Sequence, residues 1–235
     1  MTVSKKTDII DFHSHILPCA DHGSDGIETS REQVALMNNA GVDTVVLTPH
    51  FYPHRHNAKA FAAKISAAAE ELAAECRVRP RFCIGAEVLY CEGIENMEGL
   101  ESLCIRGTKI LLLELPMSEE WNRTMLYEIK RLCEKYTVVL AHVDRYAEYH
   151  GEELAALISF GALAQINVSS LYSKGTVKRL ERFISPGSIC ALGSDLHGKD
   201  KKTYRRFAKA SKKLGDEYYE IMTRSSELLS LAEKL

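Results

Sequence analysis

Nine histidines occur in the chain, and six of them fall in a pattern suited to holding divalent cations. His13-Ser14-His15 sets two imidazoles two residues apart, and a loop carrying Asp21-His22-Gly23 follows. His50 closes Thr48-Pro49-His50, Glu87 closes Gly85-Ala86-Glu87, and Glu114 and His142 each end an apolar run. Ser194-Asp195-Leu196-His197 adds a carboxylate and an imidazole. In extended chain, residues i and i+2 point the same way, so His13/His15 and Asp195/His197 can each reach one cavity. A single histidine at a strand end is ordinarily a hydrogen-bonding loop residue, and a glutamate such as Glu114 can simply cap a helix. The joint pattern carries the argument. So many ionisable groups gathered without a cation would be electrostatically costly, and bound divalent metals remove that cost.

The elements that must position these groups are short apolar runs alternating with helical stretches, the signature of an α/β chain with a parallel sheet. Strands are predicted at Ile9 to His13, Thr44 to Thr48, Arg81 to Gly85, Lys109 to Glu114, Thr137 to Ala141, Leu163 to Val168 and Ile189 to Gly193. Runs such as Ile110-Leu111-Leu112-Leu113 suit strands covered on both faces. Helices are predicted from the capping-box pattern Ser30-Arg31-Glu32-Gln33 to near Gly41, and over Ala58 to Cys76, Glu119 to Glu134 and Gly151 to Phe160. Three more cover Thr176 to Phe183, Tyr204 to Leu214 and Glu217 to Leu235. Every strand but the sixth delivers His, Asp or Glu at its carboxyl end, and in a parallel barrel those ends share one face. The expected architecture is therefore a distorted (β/α)7 TIM-like barrel forming a single domain over residues 1–235, with an open doubly wound sheet as the alternative.

Composition narrows the function further. The formal net charge is -2 with no long basic run, so nothing favours a nucleic-acid backbone. No signal peptide or membrane-length apolar segment is present, and a cytoplasmic location is expected. The seven cysteines show no C-x-x-C pair, which suits a reduced compartment and core packing. None has arginine six positions later, which excludes the one-loop thiolate chemistry of cysteine phosphatases. Neither G-x-G-x-x-G nor G-x-x-x-x-G-K-[ST] occurs, so no dinucleotide or P-loop site is indicated. His54 and His56 lie in a loop beyond His50 that could border a substrate, and His150 falls outside the pattern.

In order along the chain, Asp11-Phe12-His13-Ser14-His15-Ile16-Leu17-Pro18, Thr48-Pro49-His50, Gly85-Ala86-Glu87, Glu114, Ala141-His142-Val143-Asp144-Arg145-Tyr146, Gln165-Ile166-Asn167 and Ser194-Asp195-Leu196-His197 resemble the PHP (polymerase and histidinol phosphatase) family. The His142-to-Tyr146 segment favours its bacterial protein-tyrosine phosphatases of capsule and exopolysaccharide synthesis. The resemblance implies the PHP fold and three divalent metal ions. One would be held by His13, His15, Glu87 and Asp195, a second by the bridging Glu87 with Glu114 and His142, and a third by His22, His50 and His197. Relatives usually carry Asp-Asp-Gly where this chain has Asp21-His22-Gly23, so Asp21 is the fallback ligand to His22. The relatives favour manganese, while the mixed ligand set also suits iron or zinc. The resemblance further implies a phosphotyrosine protein as substrate and a bacterial tyrosine kinase as candidate partner.

The ligand set suggests the chemistry: water between two cations yields hydroxide near neutral pH, which attacks phosphorus in line with the leaving phenolate. Arg145 is the candidate phosphate clamp because its planar fork suits two oxygens; a surface ion pair with Asp144 is its bland alternative. After His197 the chain reads Gly198-Lys199-Asp200-Lys201-Lys202, where relatives carry a second arginine, leaving Lys202 or Arg205 as substitutes. Rival readings are a histidinol-phosphatase-like enzyme, an amidohydrolase-type barrel and a non-catalytic, metal-stabilised regulatory protein.

Overall fold

The computed structural model describes residues 7–76, 80–117, 120–182 and 185–234. Among the described residues nine short strands appear where seven were expected: β1 (Ile10–Ser14), β2 (Thr44–Leu47), β3 (His50–Phe51), β4 (Arg81–Ile84), β5 (Glu87–Leu89), β6 (Ile110–Glu114), β7 (Thr137–Leu140), β8 (Leu163–Asn167) and β9 (Ile189–Gly193). The surplus arises because two predicted strands break and resume. Thr48-Pro49 interrupts the second, since proline offers no N–H to a ladder, and Gly85-Ala86 interrupts the third. At the second break the Leu103–Arg106 segment takes over the pairing: Ala86 N–H donates to Leu103 C=O and Arg106 N–H to Ile84 C=O. Two parallel sheets result, ordered β1-β2-β4 and β3-β5-β6-β7-β8-β9. Across the seam, Asp195 N–H donates to His13 C=O (2.8 Å) and His15 N–H to Leu196 C=O (3.2 Å), so the end of β9 lies against β1.

The apolar runs are buried on both faces, as a helix-covered parallel sheet requires. Val45 to Leu47, Leu111 to Leu113 and Val138 to Leu140 are almost wholly inaccessible. The helices around them are α1 (Ile27–Asn39), α2 (Ala58–Glu75), α3 (Arg123–Cys133), α4 (Gly151–Ser159), α5 (Thr176–Leu180), α6 (Lys201–Phe207), α7 (Ala210–Leu214) and α8 (Asp216–Leu228). Three expectations need correction. Ser30 does not start α1, which begins earlier, at Ile27; the Ser30 hydroxyl is buried 2.8 Å from that of Ser24. The predicted helix over Tyr204 to Leu214 is two, broken at Ala208 and Lys209, and the first begins at Lys201 behind an Asp200 cap. The final helix stops at Leu228 and ends in a 3₁₀ turn. The predicted termini at Glu119, Phe183 and Leu235 lie outside the described residues, as does most of the amino-terminal stretch read for targeting. Among the described residues, no helix is long and apolar enough to cross a membrane.

Helix α2 shows how local chemistry sets a boundary. Asn57 is extended, and its side chain accepts the Ala60 N–H at 3.0 Å. Phe61, Ile65, Ala69 and Leu72 then recur at helical spacing and are buried. Asn57→Ala is expected to cost about 1 kcal/mol of stability through the lost cap, read by denaturant unfolding. An unchanged midpoint would mean that the cap contributes nothing.

Candidate metal centre

Glu87 organises the site. It opens β5 in register with His50 of β3, and its carboxylate is fully buried. Its Oε1 lies 2.9 Å from His142 Nε2; its Oε2 lies 3.3 Å from His13 Nε2, 3.2 Å from His15 Nε2 and 2.8 Å from His50 Nδ1. Glu114, at the end of β6, faces the same centre, 3.6 Å from both His142 and His50. Asp195 Oδ1 closes the other side, 3.4 Å from His15 and 3.8 Å from His13. His197 stacks on His15 with ring centroids 4.1 Å apart. The structure thus brings eight of the nine predicted ligands around one point with short contacts between neighbours.

His22, the ninth, is exposed, with its ring stacked on His50 (5.1 Å) and on His197 (4.5 Å). The groups whose ligand atoms converge within 4.8 Å are His13/His15/Glu87, His50/Glu87/Glu114 and His15/His50/His197. In the last, His15 stands where the resemblance implied His22. Asp21 is committed elsewhere. Its Oδ2 meets His15 Nδ1 at 2.6 Å and accepts the His50 N–H at 2.9 Å. It therefore acts as an orienting carboxylate that fixes which nitrogen of His15 faces the centre.

The polar atoms of this cluster are unbalanced in a way that suits cations. Among the described residues, Glu87 Oε2, His50 Nδ1 and His197 Nε2 are buried without a hydrogen-bond partner, although the first two are only 2.8 Å apart. Orphaned buried acceptors of this kind are rare and costly unless something else takes their lone pairs. Charge tells the same story. Burial would raise the Glu87 carboxyl, but His13, His142 and His15 hold it well below its ordinary value. Burial would lower His13 and His15, yet Glu87 and Asp195, with Asp21 on His15, raise both. The Glu114 carboxyl is pushed up to about 7 by burial and by Glu87. The imidazoles and carboxylates favour one another's charged forms here, and a divalent cation would compete for the same lone pairs.

The backbone is bent to serve the site. His142 (φ 33°) and Asp195 (φ 49°) both occupy the left-handed region, which costs non-glycine residues free energy and concentrates at functional sites. His142 is held there by its N–H donating to Gln165 Oε1 at 2.7 Å. Gln165 Oε1 also lies 3.0 Å from His13 Nδ1, and its Nε2 donates to Asn167 Oδ1 at 3.1 Å. Asn167 Nδ2 in turn donates to Asp195 Oδ2 at 2.9 Å. The Tyr146 hydroxyl, 3.2 Å from His142 Nδ1, takes the Leu115 N–H. Gln165, Asn167, Tyr146 and the orienting role of Asp21 escape a search restricted to metal-competent side chains. The signal for the first two was present: Gln165 and Asn167 have the same i, i+2 spacing at a strand end as His13 and His15.

Close approach matters at Gly193, where a Cβ would fall 2.6 Å from both His13 Cβ and Gln165 Nε2. Gly193→Ala is expected to lower stability by about 1–3 kcal/mol through overpacking and to weaken metal retention; thermal unfolding and metal analysis would read both. Wild-type values of each would show that the space can yield.

Arg145 pairs with Asp195 Oδ2, not with Asp144, and remains 39% exposed above the cluster. Asp144 instead accepts the Asn167 N–H at 2.8 Å. Lys202 is exposed in the first turn of α6, and Arg205 faces a groove beside Leu36 and Ala40 of the α1 end. Among the described residues, neither has an ion pair or hydrogen bond to a cluster side chain. His56 stacks on Phe61, and His150 stacks flat on Trp121 at 4.3 Å. His54 borders a cavity beside β5.

A parallel α/β sheet array that gathers imidazoles and carboxylates at its carboxyl edge defines a class, the parallel α/β folds that keep their sites at the carboxyl ends of the strands. Within that class the chain belongs to the CpsB/CapC capsular polysaccharide synthesis family, whose model matches residues 9–229. It is 26% identical to the tyrosine-protein phosphatase CpsB of Streptococcus pneumoniae over 211 residues, covering 83% of this chain and 85% of that one. The CpsB of Streptococcus agalactiae serotype V is likewise 26% identical, over 82% of this chain and 84% of its own. Among solved folds, a chain from the crystal structures of YwqE from Bacillus subtilis and CpsB from Streptococcus pneumoniae, described as unique metal-dependent tyrosine phosphatases, aligns with TM-score 0.76. It has 22% identity and 96% coverage of each chain. A histidinol phosphate phosphatase of Lactococcus lactis, in complex with zinc, L-histidinol and phosphate, aligns with TM-score 0.55 at 16% identity, over 88% of this chain and 94% of that one.

Proposed function

We propose that this chain is a metal-dependent phosphatase that hydrolyses phosphotyrosine in proteins, in the service of capsular or exopolysaccharide synthesis. The observation that carries the reading is Glu87, a buried carboxylate within 3.3 Å of four histidines whose facing atoms are partly unpartnered. Family membership and the named activity of the CpsB relatives support it. We assign His13, His15, Glu87 and Asp195 to one cation, Glu87, Glu114 and His142 to a second, and His50 and His197 to a third with His22 as its outer ligand. Manganese is the proposed occupant. Bound divalent cations supply the Lewis acidity that activates water near neutral pH and neutralises phosphoryl charge.

The chain's own groups do the rest. Asp21, Gln165 and Tyr146 fix the rings of His15, His13 and His142 from behind, and such outer partners typically govern metal affinity. Arg145 stands over the cluster with part of its guanidinium free, placed to hold two phosphoryl oxygens. Glu114 and His197 are only partly buried, and substrate would approach the cluster from their side. A bacterial tyrosine kinase is the proposed source of the phosphotyrosine. Turnover of phosphotyrosine peptide, histidinol phosphate and p-nitrophenyl phosphate, with and without manganese, tests the reading. Metal-dependent hydrolysis led by the phosphotyrosine peptide is expected. No metal-dependent turnover of any substrate would end the phosphatase assignment, and a strong lead for histidinol phosphate would move the chain to that branch.

A further inference from the structure

A cavity of about 390 Å³ opens directly beside the metal-centre edge, bordered by His54, Tyr90, Glu92, Glu120, Asn122 and Met125. It shares a wall with the site. Leu89, also in its lining, is in register with Glu114, and Tyr90 N–H donates to Glu114 C=O at 2.9 Å. His54 reaches it from the loop that follows His50. The cavity therefore adjoins the β5–β6 pair at the end that carries Glu114, within reach of chain flanking a residue held at the cluster.

Its charge is one-sided. Glu92 and Glu120 stand exposed at the rim, and among the described residues neither has a cation within ion-pair distance. Behind the floor lies Glu128, 6% exposed, whose carboxylate, among the described residues, accepts the Tyr90 hydroxyl (2.7 Å) and the Gly93 N–H (3.0 Å). A nearly buried carboxylate met only by neutral donors leaves its charge acting on the space above it. Among the described residues no lysine or arginine lines the cavity; the exposed Arg123 lies between the lining residues Asn122 and Thr124, and Arg55 donates to His54 at 3.1 Å. The apolar side chains of Leu89 and Met125 complete the lining and suit the methylene stem of a lysine or arginine.

We propose that this cavity is a specificity subsite that seats a lysine or arginine side chain adjacent to the phosphotyrosine in the protein substrate. The inference rests on the phosphatase reading above and deepens it, since it names the kind of sequence that the site selects. Its test uses the manganese-loaded full chain and three substrates: p-nitrophenyl phosphate and two phosphotyrosine peptides that differ only in lysine or glutamate beside the phosphotyrosine. The lysine peptide is expected to exceed the glutamate peptide in kcat/KM by about fivefold, and more at low salt, because charge pairs open to solvent are screened. The double variant Glu92→Gln/Glu120→Gln is expected to lose that preference while keeping turnover of p-nitrophenyl phosphate. Equal use of the two peptides by the wild type would overturn the subsite, as would a preference that survives in the double variant. If p-nitrophenyl phosphate and both peptides go unhydrolysed, the phosphatase reading itself fails and takes the subsite with it.

Discussion

Glu87→Gln is expected to strip the centre of metal and to lower phosphatase turnover by about a thousandfold. The substitution keeps shape and volume while removing the charge and one of the two acceptor oxygens. Both oxygens face imidazoles, Oε1 towards His142 and Oε2 towards His13, His15 and His50. Among the described residues no other carboxylate reaches all four rings; Glu114 approaches His50 and His142, and Asp195 approaches His13 and His15. Removing one member of a buried charged assembly typically costs about 3–5 kcal/mol, and each 1.4 kcal/mol is about tenfold in rate. Metal content per chain and kcat, measured on the same preparation, check the claim. A variant that keeps full metal and wild-type turnover would remove Glu87 from the centre of the mechanism.

The centre was legible in the sequence because its geometry is written in short-range rules. His13 and His15 converge by the two-residue period of extended chain, and strand ends share a face by the parallel topology, whereas Asp195 and His197 reach the centre through a left-handed bend past the end of β9. Those rules do not say how the rings divide among cations. His50 and His15 stand between groups, and that depends on the bend at Thr48-Pro49 that splits β2 from β3. The role of Asp21 was hidden for a related reason. A loop carboxylate six residues after His15 could equally ligate or orient, and only folding brings its Oδ2 onto His15 and the His50 N–H together. The start of α1 was misread because Ser30 meets the capping pattern locally, while its hydroxyl is taken up by Ser24. Local chemistry proposes; packing selects among its proposals.

Arg145 is the sharper test of substrate chemistry, because it separates holding phosphate from holding the metal shell. Its guanidinium pairs with Asp195 Oδ2, while Asp195 Oδ1 faces His13 and His15. A guanidinium has five N–H donors, so the contact to Asp195 leaves most of the fork free for a phosphate. Burial would raise the Asp195 carboxyl, but His15 and His13, together with Arg145, hold it low. Two of those three remain when the arginine is removed, so Asp195 is expected to stay ionised and the metal to stay bound. Arg145→Ala is then expected to lower kcat/KM for p-nitrophenyl phosphate by about a hundredfold or more, the scale of a lost charge-paired hydrogen bond at about 3 kcal/mol. Inhibition by inorganic phosphate should weaken in parallel, and Arg145→Lys should recover part of both. If metal is lost along with activity, Arg145 acts by steadying Asp195 and not by gripping phosphate. If activity, phosphate inhibition and metal content all stay at wild-type levels, the phosphate lies elsewhere on the cluster, and the clamp must be sought among other cations.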